Sequence, residues 1–215
     1  MHIGEQTVRA FCDQVAAATP APGGGAVAAV AGALGASLVA MVAGLTRGRE
    51  KFRDVEAVMA AAQEAGLREA GALLELANED QAAFNQVMAA LALPKGTPEE
   101  KAARRQAVQE AYRAATRTPL ETMEHCLEVM RHALAVVAQG NPSAATDACV
   151  GLLMASTGFE GALWNVAINL GSIADEAFRQ ETMEKVEKMR AEREEVLEAF
   201  RSLVPDPVER FLKKQ

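Results

Sequence analysis

Residues 26–45, AVAAVAGALGASLVAMVAGL, carry no charged side chain, and the residues just before them read PAPGGG. Twenty apolar residues are long enough to cross a bilayer as a helix. They are equally what a helix needs when other helices surround it on all sides. Ala and Gly dominate the run and contribute little transfer energy, and no aromatic belt flanks it. A buried helix is therefore the better account, and no membrane partner is expected. A secretory leader is not expected either, because the run starts late, behind MHIGEQTVRAFCDQ, without a basic leader. Ala28, Gly32, Ala36, Ala40 and Gly44 recur at every fourth position. They form a ridge of small residues that suits a central helix or one at a dimer interface.

The remaining segments read as helices that could wrap this one. Val8, Phe11, Cys12 and Val15 make an amphipathic stripe within residues 5–18. A long helical pattern covers residues 51–93, with Gly66 and Gly71 as places where it could bend. Thr97-Pro98-Glu99-Glu100 has an N-cap, a proline at the first position and a glutamate three residues after the cap, a strong helix start. Thr118-Pro119-Leu120-Glu121 repeats the device, so a helix end or kink is expected near Thr118. Gly140-Asn141-Pro142 closes that helix and opens one to Gly158, and a last pattern runs from 159 to about 203, where Pro205 and Pro207 stop it. Strand-forming runs are absent. The expectation is an all-α single domain over residues 1–215, a bundle of about six to eight helices around a buried Ala/Gly-rich one.

With 22 basic and 29 acidic residues, the formal charge of -7 argues against a broad nucleic-acid surface. Cys12, Cys126 and Cys149 are odd in number and widely spaced, which fits small buried thiols in a reducing cytoplasm rather than a disulfide framework. His2, His125 and His132 form no HExxH motif and no evident triad, so no metal is expected.

Polar residues on apolar stripes are the candidates for chemistry. Leu73, Leu76, Asp80, Phe84, Val87 and Leu91 share one helical face, and Asp80 interrupts it. Such a carboxylate either pairs with an Arg or caps another helix, or it serves catalysis or binding with its pKa raised by lost hydration. Asp147 lies among small and apolar neighbours, either as a first-turn acid of its helix or as a buried group. Asn165 and Asn169, one turn apart with Ser172 following, draw a polar line on an apolar helix. They could bond one another across a helix contact or read a heterocyclic amide. The triple glycine before residue 26 could leave backbone amides bare as an anion site, or be a plain turn. Arg47, Arg49, Lys51 and Arg53 could serve an anionic ligand tail or form a solvated loop.

Three long motifs, TPAPGGGAVAAVAGALGASLVAMVAGLT, NEDQAAFNQVMAALALPKGTPEEKAARRQAVQEAYRAAT and GNPSAATDACVGLLMASTGFEGALWNVAINL, occur in this order. Over nearly the whole chain they resemble the cyclodeaminase/cyclohydrolase family. That family comprises the C-terminal domain of formiminotransferase-cyclodeaminase and stand-alone methenyltetrahydrofolate cyclohydrolases. The resemblance implies an all-helical homodimer acting on folates, with a tetrahydrofolate derivative as substrate and no separate cofactor. It implies closure of formiminotetrahydrofolate to 5,10-methenyltetrahydrofolate with loss of ammonia. Alternatives are hydrolysis of the methenyl compound and a non-catalytic folate-binding module. Two departures stand out. A formiminotransferase domain is not among these residues, so channelling within one chain is not expected, and Ala26 stands where the family often carries Ser. With the resemblance, Asp80 or Asp147 becomes the expected proton-transfer group and Lys95 its electrostatic partner. Asn165 and Asn169 would orient the pterin, and Pro22 with the amides of Gly23, Gly24 and Gly25 would contact an anionic part of the folate.

Overall fold

The apolar run does become the central helix. The computed structural model describes residues 2–204, and within them six α-helices account for nearly all regular structure. They are α1 (Val8–Ala16), α2 (Gly24–Thr46), α3 (Glu56–Leu91), α4 (Pro98–Gln139), α5 (Ala145–Leu170) and α6 (Glu176–Leu203). Short 3-10 turns occur at Ile3–Glu5, Glu50–Val55 and Pro142–Ala144. Helix α2 is long and apolar enough to span a membrane, yet two thirds of its most apolar window is buried against α3, α5 and α4. One core cluster links residues of α2, α3, α4, α5 and α6.

The small-residue ridge is spent inside the chain rather than between copies. A methyl group on Gly66 of α3 would lie 2.7 Å from the carbonyl of Ala36, and one on Gly158 of α5 would lie 2.7 Å from that of Ala28. Both glycines therefore mark close helix crossings on α2. Gly66 serves contact, and Gly158 lies within α5, which continues past it to Leu170. Thr46 fixes the other end of α2, since its hydroxyl accepts from the Asn141 amide at 2.9 Å and donates to the Val42 carbonyl at 2.7 Å.

Several boundaries differ from expectation, each for a physical reason. The pattern from residue 51 starts as a 3-10 turn, and α3 proper begins at Glu56, whose carboxylate is held by Arg47 and the Gly48 amide. Helix α4 starts at the expected capping box, with Thr97 and Glu100 exchanging hydrogen bonds, but runs through Pro119 to Gln139 without ending near Thr118. The stretch from 159 to 203 is two helices. It breaks after Leu170, and Asp175 caps α6 by accepting from the Phe178 amide at 3.1 Å. Helix α1 buries no residue, and Val8 is 81% exposed; of its stripe Phe11, partly buried, packs against the core. Of the cysteines only Cys126 is fully buried, its thiol pushed up to about 12 by burial and the nearby Glu69 charge. Cys12 is exposed. Pro205 and Pro207 lie outside the described residues.

Candidate functional site

The N-terminal end of α2, the C-terminal half of α3, the middle of α4 and the last turns of α5 converge on a cavity of about 360 Å³. That volume suits a small heterocyclic ligand. The turn before α2 contributes Pro20, Ala21 and Gly23, the start of α2 contributes Gly24 and Gly25, and α5 contributes Asn165, Ile168 and Asn169, with Ser172 just past its end. From the α3 stripe come Asp80, Phe84, Val87 and Leu91, joined by Met88, and α4 adds Tyr112 and Ala115.

Among the described residues Asp80 is the only charged side chain in this wall. Its carboxylate fills the space a side chain on residue 25 would need: a methyl group on Gly25 would sit 2.1 Å from Oδ1. Glycine is required there by the close approach. The carboxylate accepts from the backbone N–H of Ala26, one of the first-turn amides that α2 cannot satisfy within itself. Burial nevertheless dominates and raises the Asp80 pKa, with the Ala26 bond pulling in the opposite direction. Asp80 thus caps α2 and remains a protonatable wall group. Ala26 is wholly buried, so what it offers the site is its amide, which a serine would offer equally.

Part of the first turn of α2 is already taken: the Ala26 amide bonds the Asp80 carboxylate, which lies against Gly25. Gly23, Gly24 and Gly25 do form the wall, whereas Pro22 is buried beside it. The two asparagines are placed differently. Asn165 Nδ2 donates to the Gly161 carbonyl one turn back at 2.8 Å, while Asn169 Nδ2 reaches across to the Ala115 carbonyl of α4, also at 2.8 Å. They do not bond one another. The α5 end is braced on α4 by Gln109, which donates to the Ser172 carbonyl and accepts from the Ala174 amide, and by the Arg113–Asp175 pair at 2.8 Å.

Two expected members are elsewhere. Asp147 is in the first turn of α5, which begins at Ala145, and the cavity is at the opposite end of that helix, about 27 Å away at 1.5 Å per residue. The helix starts three residues later than the Pro142 cue suggested, which makes Asp147 a first-turn acid. Lys95 is exposed on the link beyond Leu91 and forms none of the wall. The basic run is likewise remote: Arg47 pairs with Glu56 and Arg53 with Glu50 beyond the C-terminal end of α2.

A family model described as formiminotransferase-cyclodeaminase matches residues 7–188. The chain belongs to that family. Among its relatives, a methenyltetrahydrofolate cyclohydrolase of Methylorubrum extorquens is 41% identical over 88% of this chain and 91% of its own length. A formimidoyltransferase-cyclodeaminase of Rattus norvegicus is 37% identical over 86% of the chain, which spans only 34% of the rat protein. The crystal structure of a formiminotetrahydrofolate cyclodeaminase from Thermotoga maritima superposes with a TM-score of 0.85 at 30% identity, covering 94% of this chain and 98% of that one. Within the family match lie Tyr112, Met88 and Ile168, wall residues that sequence reasoning did not single out. Phe84 was legible only as part of the Asp80 stripe. Tyr112 carries no local signal, because its place depends on α4 crossing α5. Among the described residues no group of three or more His, Cys, Asp or Glu could hold a metal ion.

Proposed function

We propose that the cavity binds the pteridine end of a folate and that the chain hydrolyses 5,10-methenyltetrahydrofolate. The observation that carries this reading is Asp80: one carboxylate with a raised pKa, in a wall whose described residues include no cation, between the amides of α2 and the last turn of α5. The methenyl bridge is an amidinium cation. A negative carboxylate and the C-terminal end of a helix are the partners such a cation favours. As water adds to the bridge carbon, its oxygen forms the new bond and one of its protons passes to the Asp80 carboxylate. In the second step one C–N bond breaks; the freed nitrogen gains a proton, the former water oxygen gives one up, and a formyl group remains. No electron changes hands, so no redox cofactor is needed. Phe84, Val87, Met88 and Leu91 exclude bulk water, which strengthens the Asp80–cation attraction.

A second reading is favoured by the cyclodeaminase from Thermotoga maritima, 98% of whose chain is covered by the match. Ring closure of formiminotetrahydrofolate passes through the same bridge carbon, with ammonia leaving in place of water entering. An absorbance assay for the methenyl compound separates the two. Loss of absorbance from added methenyl compound supports hydrolysis, gain from the formimino compound with ammonia release supports deamination, and inertness toward both removes the folate reading.

We also propose a homodimer in the cytoplasm. Val27, Leu34, Met41 and Leu45 form an exposed apolar stripe on α2, and Val150 and Leu153 on the adjoining α5 extend it. A face of this kind fits a second copy. A monomeric mass at micromolar concentration in sedimentation equilibrium would remove this proposal.

A further inference from the structure

Helix α4 passes through Pro119, and Pro119 has no N–H. The carbonyl four residues back, that of Ala115, is therefore denied its helical donor. Ala115 is buried and lines the cavity, where an unmet carbonyl is costly. The missing donor comes from another helix: Asn169 Nδ2 lies 2.8 Å from the Ala115 oxygen. A carbonyl only accepts, so the amide group of Asn169 must present its NH2 to α4 and its Oδ1 away from that bond. Among the described residues no protein donor meets that Oδ1. Asn165 has no such anchor, because it bonds back into its own helix at Gly161.

We infer that Pro119 is a positioning residue for substrate. By freeing the Ala115 carbonyl it locks Asn169 with an acceptor oxygen available to a ring N–H of the bound heterocycle. This rests on the folate reading of the cavity and adds to it a part for a residue that lies outside the cavity wall. A proline ring crowds the carbonyl four residues back, which favours a partner for that carbonyl outside the helix.

Pro119→Ala in the full chain tests the device. A restored N–H at residue 119 draws the Ala115 carbonyl back into the helix and releases Asn169. The thermal midpoint should hold or rise, because a helix-interior proline is removed. KM for the methenyl compound should rise about three- to tenfold, the loss of one hydrogen bond, with a smaller change in kcat. Asn169→Ala should raise KM similarly, and the double variant should be no worse than the poorer single. Pro119→Ser restores the same N–H and replaces the alanine variant if that one does not fold. A KM within about twofold of wild type in the folded proline variant, or single effects that multiply in the double, overturns the inference. Wild-type protein inert toward both the methenyl and the formimino compound sinks the folate reading instead, and active wild type beside an unaffected Pro119→Ala sinks only the positioning role.

Discussion

Glu69 and Asp80 lie three turns apart on the inward stripe of α3, and the chain treats them in opposite ways. Glu69 is 4% exposed and saturated: Arg68 Nη2 holds Oε1 at 2.8 Å, and His125 Nδ1 bonds Oε2. Asp80 has no cation within pairing distance among the described residues, a single backbone donor, and an open cavity before it. A buried charge that is fully paired holds helices in register, whereas one left partly unpaired next to a cavity keeps its free energy available for a ligand. Burial alone therefore does not mark the functional acid. What separates the two is how completely the protein has already satisfied each carboxylate.

The sharpest break of this comparison is Asp80→Asn. Its carbonyl can still accept from the Ala26 amide, so the fold is retained, but the proton acceptor is gone. Turnover should fall about 10²- to 10⁴-fold, read by the absorbance assay. The pH dependence has a definite sign. The native carboxyl binds its proton more tightly than the unfolded one, whose pKa is near 3.8. Between that value and the raised native one the folded state holds the extra proton, so stability falls as pH rises through this window. Activity moves the other way, with kcat/KM climbing as Asp80 ionises through its raised pKa. The asparagine variant should lose that acid limb and be at least as stable as wild type at pH 7. Retained turnover, or an unchanged acid limb, would show that Asp80 only caps α2.

Gly25→Ala attacks the same carboxylate from the other side. A methyl 2.1 Å from Oδ1 cannot be accommodated unless Asp80 or the start of α2 shifts. Turnover should fall at least about tenfold, since positioning errors of an ångström carry penalties of that size or more. Thermal stability should fall too, as the Ala26 amide loses its acceptor. Gly24→Ala is the control, because its methyl would find only Asn165 Nδ2, at 3.7 Å.

Glu69→Gln should reverse the pattern. Removing the charge leaves Arg68 and His125 without their shared anion, at a cost of about 1–3 kcal/mol. Denaturant midpoints would report this, while kcat/KM stays within about threefold because Glu69 is not in the cavity wall. Loss of turnover without loss of stability would place Glu69 in the catalytic machinery and dissolve the contrast.

Both acids interrupt the periodicity of α3, which runs through Met59, Ala62, Gly66, Glu69, Leu73, Leu76 and Asp80. Asp80 could be singled out because the next turns, Phe84, Val87 and Leu91, are apolar. Glu69 reads as an ordinary surface glutamate, because its partners come from its neighbour Arg68 and from α4, 56 residues on. The same division holds elsewhere. The capping box at Thr97 and the apolar α2 are local patterns and were legible. Thr118-Pro119 looked like a second helix start because its chemistry is the same over four residues. Only Asn169, on another helix, reveals why α4 can continue through it. Tyr112 was missed for that reason as well: helix crossings assemble the wall, and no short-range period encodes them.

Asp147 supplies the smallest expected effect and the sharpest control. It shares the charge type of Asp80 and Glu69 and sits in a comparable run of small residues, but it lies in the first turn of α5, at the end remote from the cavity. There it interacts with the positive end of the helix dipole, a contribution of about 0.3–1 kcal/mol. Asp147→Asn should lower the thermal midpoint slightly and leave kcat/KM within about twofold, because nothing at 27 Å or so along a helix axis can take a proton from a cavity-bound water. A large loss of turnover in this variant would require a cavity completed from the far end of α5, which only a second copy could supply. Measured beside the sedimentation behaviour of the same sample, that result would convert Asp147 from a helix-end acid into a residue acting across a dimer.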